Sequence, residues 1–254
     1  MKEVVTQGSQ SDFRDPEDHV LLVRAQLAIG DVDAANATLH DLERNMEDSP
    51  KAALCKALST AMVATQAGDT QRAGKALDEV TKFGNQHLDT SLALKKNLAH
   101  LYLENKRDSQ AADVMMEVMR NAADDAEVDR AKNILADLGR PELGEWAATR
   151  VRDEVRNIMA EGVKLANTGD FDGAVRQMQQ AVIKMPGNTN VLFNAALALL
   201  KHIENLGWNP KFAGSARDYI DRVRKQDPGN PKLDNMLTYF DMLTKKYNVN
   251  VEQT

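Results

Sequence analysis

The chain has 254 residues, 43% hydrophobic and 28% charged, with 14 Gly and 7 Pro, which suits a folded globular protein and excludes a disordered one. Aromatics make up only 5%, and Ala, Leu, Met and Val carry the apolar content, which favours helices over sheet. The net charge of −6 divides into −7 over residues 1–125 and +1 over 126–254, so neither half offers the basic face of a general nucleic-acid binder.

Cys55 is the single cysteine, so an internal disulfide framework is excluded and a reducing compartment is expected. Residues 1–14 are polar and non-periodic and read as a tail without the apolar core of a signal peptide. The longest apolar-rich run, Val191 to Leu200, is too short to span a bilayer and contains Asn194. A cytoplasmic protein with no membrane insertion is expected.

Asp15-Pro16-Glu17-Asp18 starts the first helix with a cap, a first-turn proline and acids at the positive end. That helix carries Val20, Leu21, Val23, Leu27 and Ile29 and stops at Gly30-Asp31. A second follows with Ala35, Leu39 and Leu42. Ser49-Pro50 opens the next hairpin, with Leu54, Leu58, Ala61 and Met62 before Gly68-Asp69, then Ala73, Leu77 and Val80. In a third hairpin, Leu92, Leu94, Leu98, Leu101 and Leu103 precede a glycine-free break at Lys106-Arg107-Asp108, and Ala111, Met115 and Val118 follow. Ala35, Ala73 and Ala111 are each 38 residues apart, and each has apolar residues four and seven positions on. That register predicts a repeat.

The register then breaks. Glu127 to Leu138 reads as one helix closed by Gly139, and Leu143 to Asn167 as a long helix carrying Trp146, Val151, Val155, Ile158 and Met159. Ala111 to Ala174 is 63 residues, which is neither one period nor two. In Gly162–Pro186, Gly162, Ala174 and Ala181 permit close helix approach, Gly169 suits a left-handed helix end, and Asp170 or Asp172 caps the next helix. Val191 to Leu200 predicts a largely buried helix. Leu206 to Pro210 predicts an enlarged turn, and Ala216, Ile220 and Val223 lead to Asp227-Pro228. A last helix spans Pro231 to Tyr247, with Leu233, Leu237, Phe240 and Leu243.

The residues Gly162, Gly169-Asp170-Phe171, Ala174, Ala181 and Pro186 resemble the tetratricopeptide repeat, and the other four hairpins match it in part. The resemblance implies an all-α, right-handed solenoid of helical hairpins with a C-terminal capping helix. Its expected parts are a flexible tail (1–15), a three-hairpin sub-array (16–125) and a degenerate repeat starting a long connecting helix (126–154). A two-hairpin sub-array (155–228) and a capping helix with tail (229–254) complete it. The C-terminal third, through Asn194-Ala195-Ala196, Gly207 to Pro210 and Asp227-Pro228-Gly229-Asn230-Pro231, is similar to the repeat region of bacterial response regulators that carry a receiver domain. This chain has no receiver pattern of alternating strands and helices.

Among the histidines (His19, His40, His87, His100, His202), only His100–Glu104 and Asp15–His19 have ligand spacing. Two ligands are too few for a metal site, so ordinary helix-surface pairs are expected, with no metal and no cofactor. Cys55 reads as a buried structural thiol, and the methionines as core filling with some adaptable surface. The repeat pattern places Arg24, Met62, Lys96, His100, Arg156, Met159, Asn190, Phe193, Asn194, Leu197 and Lys201 on the concave face.

The leading expectation is a non-catalytic scaffold that binds a protein or peptide in that groove, a bacterial signalling or assembly adaptor. The runner-up is the output region of a two-component response regulator. Self-association is open, since arrays of this family associate through poorly capped ends. An enzyme on a helical scaffold has no convergent acid, base or nucleophile to support it.

Overall fold

The structure, a computed structural model, describes residues 15–45, 49–84 and 91–249. The expected tail at 1–14, His87 and the last five residues lie outside these. Among the described residues all regular structure is helical, in twelve α-helices. They are α1 (Pro16–Ala28), α2 (Val32–Asn45), α3 (Pro50–Gln66), α4 (Thr70–Gly84), α5 (Leu92–Glu104) and α6 (Asp108–Arg120). They continue as α7 (Asp125–Asp137), α8 (Pro141–Asn167), α9 (Phe171–Lys184), α10 (Thr189–Leu206), α11 (Pro210–Gln226) and α12 (Leu233–Lys246).

Local chemistry sets most of the helix starts. The side chains of Asp15, Ser49, Ser91, Asp124, Asp170, Asn188 and Asn209 each accept a first-turn N–H. Pro16, Pro50, Pro141 and Pro210 occupy first-turn positions whose N–H has no helical partner to lose.

Five helix pairs turn through the same backbone bond, in which an N–H reaches back five residues to a carbonyl of the preceding helix. The pairs are Asp31 to Gln26, Asp69 to Ala64, Arg107 to Tyr102, Arg140 to Leu135 and Asp170 to Leu165. The first three donors are 38 residues apart, so the alanine register is a register of turns. Arg107 and Asp170 enclose the irregular 63-residue interval, and Arg140 divides it into 33 and 30. One further hairpin turn lies there, at the Gly139 that the sequence marks as a helix stop.

The residue before the donor is Gly30, Gly68, Gly139 or Gly169 at φ of +72° to +86°, and in the third turn it is Lys106 at +58°. A lysine there pays the left-handed penalty that glycine avoids. Lys106→Gly is expected to stabilise the chain by about 1 kcal/mol, because the relief of strain exceeds the added unfolded-state entropy. Urea midpoints of parent and variant check this.

The chain forms two compact units, residues 1–115 and 116–254. In the first, α1 packs on α2 and α3, and α3 on α4. Val20, Val23, Ala35, Leu39, Leu58, Ala61, Leu77 and Val80 are buried. Leu21 is exposed and its neighbour Leu22 is buried instead; Leu92 also faces solvent. A buried hydrogen bond, Thr38 Oγ1 to Gln26 Oε1 at 2.9 Å, joins the first hairpin. Glu17 is 7% exposed and accepts the Ser91 N–H at 3.2 Å while pairing with Lys51 at 3.1 Å, so one carboxylate fastens α1, α3 and the start of α5.

In the second unit α8 serves two partners. Its first half packs on α7 and its second on α9. Each half contributes a glycine at close approach. A Cβ at Gly144 would lie 2.6 Å from the Lys132 carbonyl oxygen, and one at Gly162 would lie 2.9 Å from Met178 Cε. α10 packs on α9 and α11, and α12 on α10 and α11. The expected enlarged turn is instead three residues, Gly207 to Asn209, because α10 runs on to Leu206 and α11 begins at Pro210. The extra residues extend helices. Tyr239 donates to Glu204 at 2.6 Å and Tyr247 to the Ile203 carbonyl at 2.9 Å, which fixes α12 to the end of α10.

Candidate functional site

The second unit contains an open cleft of about 370 Å³, bounded by α8, the start of α7, the α9–α10 connection and the first turn of α10. Its apolar surface comes from Val155, Met159, Ala160, Val163, Met185 and Val191, and its polar rim from Asp125, Arg152, Arg156, Asn188 and Asn190. Residues 152, 155, 156, 159, 160 and 163 fall on one helical face, which gives a strip of roughly 16 Å at helical rise.

Arg152 holds the α7 wall. Its guanidinium donates to Asp129 Oδ1 at 3.0 Å, and to the side chain and carbonyl of Asp125 at 3.3 Å. The hydrogen bond from Arg152 holds the Asp129 carboxyl below its usual range. Outside the cleft lining, Lys184 lies 2.7 Å from Glu154, with Arg120 at 3.6 Å, and the Lys184 contact foremost depresses the Glu154 pKa. The opposite wall is set by Asn188, whose Oδ1 accepts the N–H groups of Asn190 and Val191 at 3.1 Å, and by Thr189, whose N–H donates to the Ala123 carbonyl at 3.0 Å. Arg156 is 72% exposed in its side chain and pairs with Asp153 at 2.9 Å, so its guanidinium stands at the open rim.

Four of the sequence-predicted groove residues, Arg24, Met62, Lys96 and His100, lie in the first unit, and seven in the second. Met62 is buried in the α3 core, while Arg24, Lys96 and His100 are half-buried. Arg156, Met159 and Asn190 come together in the cleft. Phe193, Asn194, Leu197 and Lys201 continue along α10 without lining it. The Asn194 side chain donates to the Asn190 carbonyl at 2.7 Å, Lys232 stands over the Phe193 ring, and Lys201 pairs with Glu204 at 2.9 Å.

Sequence reasoning missed Arg152, Val155, Ala160 and Val163 as lining, although three- to seven-residue spacing from Met159 and Arg156 points to them. It also missed Met185 and Asn188 in the connection. Asp125 has no local signal, since only the tertiary fold brings it opposite Asn190.

His100 Nε2 lies 3.9 Å from Glu104, an ordinary surface pair. His202 is buried, with Nε2 2.9 Å from Asp172 Oδ1 and its ring edge-on to Phe212, so it packs at the junction of α9, α10 and α11. No group of three or more His, Cys, Asp or Glu among the described residues is placed to hold a metal ion. Burial, with Glu17 adding to it, pushes the Cys55 thiol up to about 12, so at neutral pH it is not a thiolate. No described helix is long and apolar enough to cross a membrane. Neither a protein-family model nor a curated protein matches the chain.

Proposed function

We propose that this chain is a non-catalytic protein-interaction scaffold of the tetratricopeptide type, and that it binds a segment of a partner protein in the cleft along α8. The observation that carries this reading is the cleft itself, an open apolar strip with an arginine and amide rim on the face of α8 turned toward α10. Such a surface buries apolar side chains of a partner and orients its main chain at the rim. The 38-residue spacing of the first three turns and the small residues Gly162, Ala174 and Ala181 support the repeat type. On this reading α12 is the cap that closes a right-handed array.

The test is selection of peptides from a display library on the immobilised, reduced protein, followed by titration of the recovered peptides against two variants. Val163 is 48% exposed in the cleft and Ile183 is 76% exposed outside it, so a glutamate at either should leave the fold intact. Val163→Glu is expected to weaken the peptides by roughly tenfold or more, as loss of an apolar anchor does, and Ile183→Glu to leave them unchanged. Equal behaviour of the two variants defeats the reading.

A further inference from the structure

Of the nine methionines among the described residues, seven are buried in the two cores. The other two are Met242, 46% exposed on α12, and Met159, half-buried in the cleft. We infer that Met159 is an oxidant-modified site whose thioether sets whether the cleft along α8 accepts an apolar group. This rests on the cleft being the binding surface.

The chemistry is a two-electron oxygen transfer from a peroxide. The sulfur lone pair of Met159 attacks one peroxide oxygen, an S–O bond forms and the O–O bond breaks. With hydrogen peroxide, the proton on the transferred oxygen passes to the departing hydroxide, which leaves as water. Sulfur is oxidised and peroxide is reduced. A sulfoxide reductase reverses the step with electrons from two thiols, which become a disulfide as the oxygen departs as water.

The surroundings make the product a different surface. The apolar part of the cleft lining, to which Met159 belongs, also holds Val155, Ala160, Val163, Met185 and Val191, none of which offers a side-chain donor to a sulfoxide oxygen. The side-chain donors of the cleft are Arg156, one turn earlier on the same face and at the open rim, Arg152, which Asp125 and Asp129 engage, and the amides of Asn188 and Asn190 on the opposite wall. Oxidation thus places a strong acceptor in the apolar strip, and an apolar anchor must strip water from it. Met242 is the more exposed of the two and lies outside the cleft, so it provides an internal control.

Two measurements test this on the full chain. Under limiting hydrogen peroxide, followed by peptide mass spectrometry, Met159 and Met242 are expected to gain oxygen well before Met178 and Met185; if Met159 follows the buried pair, the inference fails. Titration with the apolar dye anilinonaphthalenesulfonate then compares parent, Met159→Leu and Met242→Leu before and after oxidation, leucine being a volume-conserving replacement. Dye affinity is expected to fall about tenfold in oxidised parent and oxidised Met242→Leu, the scale of placing one unpaired polar group against an apolar ligand, and to stay constant in Met159→Leu. No fall in the parent, or an equal fall in Met159→Leu, overturns it. The peptide selection uses reduced protein, so failure there counts against the cleft reading while failure here counts against the switch alone.

Discussion

Ala174→Asp is expected to destabilise the second unit by about 3–5 kcal/mol, the range for an uncompensated charge forced into a core. Ala174 is 1% exposed in the first turn of α9, and Ala181, two turns on, is 0% exposed. Across from α9, even a methyl group at Gly162 would lie 3.2 Å from Gln177 Cβ and 2.9 Å from Met178 Cε. Helices this close leave no space for a carboxylate and its water. The helix N-terminus offsets at most about 2 kcal/mol of the cost. Burial raises the folded-state pKa of the new acid above its unfolded value, so the folded state binds the proton more tightly and the deficit narrows as pH falls. Denaturant melts of Ala174→Asp and Ala174→Ser at neutral and acid pH check both points. A variant that melts like its parent at neutral pH would mean that α8 and α9 do not pack through this face.

The features legible in the sequence are those with a local cause. Asp15-Pro16 and Ser49-Pro50 start helices because cap and proline act within four residues, and the structure begins α1 and α3 there. Ala35, Ala73 and Ala111 are all 0% exposed, since a repeated turn places the same residue at each hairpin contact. Where two solutions differ by a small rotation, the pattern misled. Leu21 and Leu22 are equally apolar and about 100° apart on a helix, and the placement of the helices packed on α1 decides which is buried. The break in register at Ala111–Ala174 is visible, and the sequence reads it as a degenerate repeat running into a long connecting helix, without showing that each half of that helix has its own partner. α8 belongs to two hairpins, so the sequence lacks the second interruption that would mark them. For the cleft, Met159 and Arg156 were legible through helical spacing, whereas Asp125 and Met185 come from segments with no shared pattern.

Gly187→Ala is expected to cost about 1–3 kcal/mol by overpacking and to damage the cleft more than the helices. The position needs no unusual backbone angle, so the constraint is space alone. A Cβ there would fall on the carbonyl oxygen of Asn121, and neither segment is free to yield. On one side the Thr189 N–H and hydroxyl both donate to the Ala123 carbonyl, at 3.0 and 3.2 Å, and Arg222 donates to the Pro186 carbonyl. On the other, the Ala123 N–H donates to Glu127 at 2.7 Å. The displaced segment carries Met185 and Asn188, which form one cleft wall, while the α8 strip is untouched. Helical circular dichroism should therefore persist while the Thr189 amide exchanges faster and affinity for cleft-selected peptides drops. Two glycines calibrate the result. Gly229→Ala meets no atom within 4 Å and should be near neutral. Gly139→Ala meets none either but sits at φ +81°, so it should cost about 1 kcal/mol through backbone strain and leave peptide binding intact. If Gly187→Ala behaves like Gly229→Ala, the α9–α10 connection is not clamped against residues 121–123, and the cleft loses the wall that makes it a binding surface.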